Sequence, residues 1–316
     1  MKIRPAVPSA LICQDQLPNT WSICVRVREQ TGIVRVRLLR SDTFKGKEFC
    51  SVLEGIVVKN VASIRRSPSA NSEQVSQTIM GQVVRILQDE GDWLYIETAD
   101  AYNGWIRRTC LRSNLHRTLP LAEVTELFTD AYIQPTQGSE IVTKLVITSV
   151  VEVLDQYQGF TQVQLPDGQQ AWVRSSDIFI GKTNEGTAYI QHDVVSVVRT
   201  AKRFLGIPYI WGGTTPFGLD CSGFVQLVWK LHGILLPRDA ALQTKDPRLL
   251  PVTDNGMNAG DLVFFASEKH NPHVNHVALA IDSDRIIHSA YDRGVAINRL
   301  DEELFTRSLT GVGRIE

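Results

Sequence analysis

The apolar spacing of this chain changes once, near Thr187, and that change divides what it can fold into. Ahead of it, apolar residues fall in short runs between turn residues, and no stretch keeps a helical period. Beyond it, HDVVSVVRTAKRFLG sets Val194, Val197, Val198, Ala201 and Leu205 at spacings of three and four, which builds one helical face. Gly206 and Pro208 stop that helix. Cys221 to His232 repeat the pattern with Phe224, Val225, Val228 and Leu231, closed by Gly233. GDLVFF, HVALAI and RIIHSA follow as short β-branched runs. Helices followed by consecutive strands indicate an α+β domain with an antiparallel sheet.

The region before Thr187 reads as small all-β units. From Glu54 to about Ser113, turns at Ser67-Pro68, Met80-Gly81, Glu90-Gly91 and Asn103-Gly104 separate the apolar runs. A similar order returns from Thr129 to Ile178, and both blocks end on an aromatic strand, GWIRR in one and AWVRS in the other. Two tandem, diverged copies of one small barrel is the economical reading. Trp93, Trp105 and Trp172 are expected in the barrel cores. The chain then divides into an N-terminal extension (1–54), two barrels (55–113 and 114–181) and the α+β domain (182–316). In the extension, SICVRVREQTGIVRVRLL alternates apolar and charged residues about Glu29-Gln30-Thr31-Gly32. That pattern predicts a hairpin packing on the first barrel, with its arginines on the wet face.

Charge and composition exclude several function classes. The 33 basic and 34 acidic residues nearly cancel, which argues against nucleic acid as a partner. No apolar run approaches the roughly 18 residues that span a bilayer, so no membrane partner is expected. The opening MKIRPAVPSALICQDQLPNTW is broken by Pro5 and Pro8 and lacks the pattern of a secretory signal. A cytoplasmic monomer is the expectation. Cys13, Cys24, Cys50, Cys110 and Cys221 are scattered and form no CxxC pair, as in a reducing compartment. The first four read as small buried hydrophobes.

Cys221 reads differently. It opens a helix within YIWGGTTPFGLDCSG, where unpartnered N–H groups and the helix dipole favour thiolate, the nucleophilic form. Gly212, Gly213 and Gly218 let backbone approach a substrate and leave N–H groups to hold an oxyanion. A cysteine at a helix start is more often structural, but the histidines reverse that reading. With Asp282-Ser283-Asp284 as a three-residue loop, Ile281 pairs with Arg285 and Ala278 with His288. His276 and His288 then lie diagonally on one face, about 7–8 Å apart at Cβ. A loop one residue longer or shorter would put them on opposite faces. The arrangement supplies a nucleophile (Cys221), a base (His276) and a group that orients the base (His288). His270, His273 and His276, spaced by three, could with Cys221 suggest zinc. Their Pro-containing loop does not fix ligand geometry as a helix would, so no metal or other cofactor is expected. His116, His192 and His232 read as ordinary surface or core residues, and Arg238-Asp239 as either a solvated turn pair or part of a cleft.

YIWGGTTPFGLDCSGFVQLVW, LPRDAALQ, GDLVFF and NHVALAI…IIHSA together resemble the NlpC/P60 peptidases, a papain-like family with a Cys-His-His site. The block from Glu54 to Ser113 resembles bacterial SH3-like (SH3b) domains, through its GDW and GW segments; the second block does so more weakly. The resemblance implies Cys221 as nucleophile, His276 as base and His288 as the third polar residue, with Tyr209 close to the thiol and substrate. Trp211, Ser222, Arg238 and Asp239 would line the substrate site. SH3b copies ahead of such a domain further resemble γ-D-glutamyl-L-diamino acid endopeptidases of the YkfC type, which cut free wall peptides that start with L-alanine. In those enzymes an Asp before the nucleophile, a Glu and a Tyr of the first SH3b domain hold the substrate ammonium. These map to Asp220, Glu73 and Tyr102. Where the family often has Ser after Arg-Asp, this chain has Ala240, so one substrate contact is missing. The implied function is hydrolysis of a small murein peptide to release L-Ala-D-Glu, in recycling of wall peptides. The alternatives are an SH3b-anchored hydrolase of intact wall and a catalytically silent wall-peptide binder.

Overall fold

The computed structural model describes residues 53–113, 117–181, 193–252, 256–266 and 273–316, with the backbone of two short strands, Leu11–Gln14 and Ile23–Arg26. Those two strands pair antiparallel, which sets Cys13 opposite Cys24. The hairpin expected about Glu29 to Gly32 lies outside the described residues, as do Cys50, His116, His192 and His270.

Glu54 to Ser113 form a seven-stranded antiparallel sheet. Its order is Gln74–Ile79, Val61–Arg65, Asn103–Arg107, Trp93–Glu97, Val83–Glu90, Glu54–Val57, Leu111–Ser113. The second sheet repeats that order strand for strand: Ile141–Val146, Phe128–Tyr132, Gln170–Arg174, Phe160–Gln164, Val150–Tyr157, Leu121–Val124, Ile178–Ile180. Even the irregularities match. Register shifts at Ile64/Arg65 and Ile86/Gln88 recur at Ala131/Tyr132 and Val153/Asp155. Such bulges bend and twist a strand, which curls each sheet over its own apolar face. Among the described residues the two end strands of each sheet do not pair with one another, so the ladders define curled sheets and not closed barrels.

Strand parity decides what each face buries. Ile64, Ile96 and Ile106 lie in the first core, and Leu145, Val163 and Val173 in the second. Trp93 is buried, with the Arg107 guanidinium 4.5 Å from the centre of its ring. Trp105 and Trp172, expected in the cores, are only partly buried, because Gly104 with Ile106 and Ala171 with Val173 take the inward positions beside them.

The C-terminal domain packs helices α1 (Val194–Lys202) and α2 (Cys221–Lys230) on a six-stranded sheet. The sheet runs Leu249–Val252, Leu309–Ile315, Leu262–Ala266, Val274–Ala280, Arg285–Ala290, Gly294–Arg299. Asp193 caps α1 by accepting the Ser196 N–H at 2.8 Å. That helix ends before Leu205, which is exposed, while Phe204 turns into the core in its place. Helix α2 is buried on nearly every side, since nine of its ten residues are enclosed. Leu127 and Ile147 of the second sheet join its core, and Phe128 meets Phe217 edge-on at 5.0 Å. The first and second sheets interlock where Val150 N–H donates to the Met80 carbonyl at 3.0 Å. No helix among the described residues is long and apolar enough to cross a membrane.

Candidate active site

Cys221 is the first residue of α2, and Asp220 is its cap. The Asp220 carboxylate accepts the Gly223 N–H at 2.7 Å, a cap that contributes on the order of 1 kcal/mol. The Cys221 thiol is buried, with Sγ 3.9 Å from the Asn275 carbonyl oxygen. Burial, and next the charge of Asp220, push the thiol up to about 11, against the N–H groups of Val277 and Ser222 and the charge of Arg238. The helix start therefore does not by itself yield a thiolate, because desolvation outweighs it.

The two histidines meet as loop length requires. Leu279 pairs with Ile287 and Ala280 with Ile286, the register of a three-residue loop. His276 Nε2 lies 2.8 Å from His288 Nδ1, with the rings nearly perpendicular at 86°. His288 is buried, and its Nε2 lies 3.1 Å from Asn298 Oδ1. Burial, then the neighbouring His288, lower His276 to about 3, and burial lowers His288 as well. Each group alone is held neutral. Proton transfer from Sγ to imidazole creates two opposite charges together, and their titration belongs to the pair.

Asp220, Ser222 and Arg238, expected to line the substrate site, are bonded to one another. All three are buried. Arg238 is paired to Asp220 through both Nη atoms, donates from Nη1 to Ser222 Oγ at 3.0 Å, and donates from Nε to Ser76 Oγ of the first sheet at 3.1 Å. The capping carboxylate folds back on its own helix through Oδ1 and is forked by the guanidinium, which leaves one acceptor site on Oδ2. The network ties the first sheet to the start of α2. The four residues Ala240–Gln243 form the short helix α3 beside it, and Gln243 Nε2 donates to the Ser222 carbonyl at 3.1 Å.

Asp239, next to Arg238, interacts with the Tyr102 phenol, and burial is the main cause raising both the acid and the phenol, the latter to about 12. Glu73 stands nearby at the start of its strand, accepting from Arg66 Nε at 2.6 Å and from Trp211 Nε1 at 2.8 Å. Hydrogen bonds from Arg66 and then Trp211 hold its carboxyl below the usual range. Tyr209 is raised by burial first and by Cys221 second, and its backbone bridges to Leu219, just ahead of Asp220 and Cys221. Its ring meets the exposed Tyr291 edge-on at 5.8 Å.

The expected oxyanion role of the glycines changes too. Gly212 has φ +71°, and a Cβ there would lie 2.6 Å from the Gln74 carbonyl of the first sheet. Gly213 donates its N–H to Ile210 O at 2.9 Å and has none to spare. These glycines permit close backbone approach. Cys221, as the first helical residue, keeps an N–H with no partner inside the helix. Gln74 and Gln77, which sequence reasoning missed, bond Trp211 O at 2.9 Å and Thr214 N at 3.0 Å. Nothing in their local pattern separates them from solvated strand residues. His232 bonds Thr200 Oγ1 at 3.0 Å in the core, and His273 is exposed. Among the described residues no three His, Cys, Asp or Glu side chains form a cluster able to hold a metal ion.

Comparison with known proteins agrees with this arrangement. The NlpC/P60 family matches residues 206–314, and the bacterial dipeptidyl-peptidase SH3 domain matches residues 64–111. A γ-D-glutamyl-L-lysine dipeptidyl-peptidase of Bacillus cereus is 31% identical over 258 residues, covering 76% of this chain and 74% of the relative. Dipeptidyl-peptidase 6 of Lysinibacillus sphaericus is 29% identical over 262 residues, covering 79% and 93%. The crystal structure of an NlpC/P60 family protein from Bacillus cereus shares the fold, with a TM-score of 0.72 at 24% identity, covering 83% of this chain and 99% of that one. A buried cysteine at the start of α2 and two hydrogen-bonded histidines on the strands that α2 packs against are thus accompanied by similarity along most of the chain, which belongs to the NlpC/P60 family of cysteine peptidases, with an SH3-like domain ahead of the peptidase domain.

Proposed function

We propose that the protein hydrolyses the γ-D-glutamyl–L-diamino acid bond of free murein peptides that begin with L-alanine, releasing L-Ala-D-Glu in the cytoplasm. In this reading both sheets are diverged SH3-like units, and the first is a wall of the active site. Cys221 attacks the γ-carbonyl as its proton passes to His276. The Cys221 backbone N–H faces the developing oxyanion. His276 then gives its proton to the departing amine, and later draws one from the water that resolves the acyl-enzyme. His288 orients the base.

The observation that carries the substrate assignment is that Glu73, Tyr102 and Asp239 all interact with one guanidinium, that of Arg66, while Glu73 also holds Trp211 of the peptidase domain. Two carboxylates and a phenol suit a primary ammonium, and charge-assisted hydrogen bonds make that recognition strong. Asp220 is paired with Arg238 and Glu73 with the exposed Arg66, so the ammonium would share or displace Arg66 at Glu73, and Asp239 adds a further carboxylate. The names of the relatives support the bond class. The test incubates the full chain with L-Ala-γ-D-Glu-diaminopimelate, with its L-lysine counterpart and with intact sacculi, and identifies products by mass spectrometry. Dipeptide release from a free peptide is expected. Release from sacculi alone would transfer the assignment to wall hydrolysis, and no release from any would leave a binding protein.

A further inference from the structure

The hydrogen-bonded line from His276 through His288 continues outward to two residues that neither histidine's motif contains. Asn298 lies on the strand Gly294–Arg299, whose register pairs His288 with Ala296, so Asn298 sits on the same face, two positions along. Its Nδ2 donates to both oxygens of Glu302, at 3.0 and 3.1 Å, and its Oδ1 faces His288 Nε2 at 3.1 Å. Glu302 is fixed in turn by the Arg299 N–H at 3.0 Å.

Donor and acceptor chemistry along this line leaves one self-consistent set of protons. An ionised carboxylate only accepts, so the Asn298 amide must turn its NH2 to Glu302 and its oxygen to His288. That oxygen only accepts, so His288 carries its proton on Nε2 and leaves a lone pair on Nδ1. The 2.8 Å contact then needs a proton from His276 Nε2. His276 Nδ1 is left bare, as the ring nitrogen able to take the thiol proton. The flanking rings, Phe305 at 5.3 Å from His288 and Phe265 at 5.7 Å from His276, offer no competing partner. We propose that Asn298 and Glu302 are positioning residues that set the tautomers of both histidines and so present His276 Nδ1 to Cys221. This rests on the assignment of His276 as base.

Three variants of the full chain test it: Asn298→Leu, Glu302→Gln, and the exchange Asn298→Asp with Glu302→Gln. The exchange keeps an acceptor facing His288 and lets residue 302 donate to it. Nitrogen-15 NMR of labelled histidine reads the tautomers directly, without turnover. In wild type both rings are expected protonated at Nε2 and bare at Nδ1. Asn298→Leu should lower kcat by about tenfold to a hundredfold with KM within about twofold, below the roughly ten-thousandfold cost of enforcing a wrong tautomer. Glu302→Gln should fall between wild type and Asn298→Leu, and the exchange should recover most of kcat. A wild-type His288 protonated at Nδ1, or an Asn298→Leu enzyme with unchanged kcat, would overturn the proposal. His276→Ala separates this from failure of the underlying reading: turnover surviving there removes the base assignment, whatever the tautomers.

Discussion

The two N-terminal sheets share one strand order and the same bulges, yet they meet the peptidase domain in different ways. Corresponding loops superpose in their bonding: Arg66 N–H donates to Glu73 O as Ile133 N–H does to Glu140 O, and Thr98 N–H to Tyr102 O as Leu165 N–H does to Gln169 O. Glu140 and Gln169 are therefore the second-sheet counterparts of Glu73 and Tyr102. The first sheet reaches the nucleophile's own surroundings through polar groups, with Ser76 on Arg238, Gln77 on Thr214 and Asp100 on Gln226. The second supports the far side through apolar packing of Leu127 and Ile147, a bond from Lys230 to Thr148 at 3.3 Å, and an outer pair, Arg203 with Glu126. One scaffold, used twice, bonds the surroundings of Cys221 in one place and packs behind the peptidase core in the other. Side chains at equivalent backbone positions make the difference.

The largest expected effect lies at Cys221, beside the groups that the first sheet's Ser76 and Gln77 hold. Cys221→Ala should remove turnover, by a factor on the order of a million in comparable nucleophile–base units, with binding intact. Cys110→Ala, within the first sheet but away from those groups, should turn over like wild type, as steady-state rates will show.

Next come the two junctions themselves. Arg238→Met strands the buried Asp220 carboxylate and should cost about 3–5 kcal/mol in denaturant unfolding. Arg203→Ala at the second-sheet junction breaks a partly exposed pair and should cost at most about 1 kcal/mol. Equal losses would erase the contrast between the two interfaces.

Tyr102→Phe removes one hydrogen bond at the ammonium wall and should lower kcat/KM by about tenfold, corresponding to about 1.4 kcal/mol. Gln169→Ala should leave it unchanged. Acid sensitivity sharpens the picture of the base. Protonating His276 abolishes its role, and burial holds its pKa down, so the acid limb of kcat/KM should lie below the ordinary imidazole value near 6.5. A limb at or above that value would contradict the buried base.

Much of this was legible in the sequence, for reasons that are local. The His276–His288 alignment follows from loop length and strand parity alone, and the start of α2 from the DCSG segment. Repetition of turn signals revealed the doubled sheet. Adjacency to a nucleophile does not tell which way the capping side chain of Asp220 folds, and here it folds back onto Gly223 and Arg238. Asp239 depends on Tyr102 coming from another domain, a tertiary contact no local pattern encodes. The outward turn of Trp105 was missed because a buried glycine neighbour, and not aromatic size, set its parity.

The central claim, that the first sheet is a wall of the active site reading a free N-terminus, is tested most directly by one ratio. It is kcat/KM for L-Ala-γ-D-Glu-diaminopimelate divided by that for its N-acetylated form, measured for wild type, Glu73→Ala and Glu140→Ala. Hydrogen bonds to charged groups are worth about 1.5–3 kcal/mol, so acetylation should cut wild-type efficiency by about tenfold to a hundredfold. That ratio should collapse toward one in Glu73→Ala and stay at the wild-type value in Glu140→Ala. A wild-type ratio near one, or equal ratios in the two variants, would contradict the account.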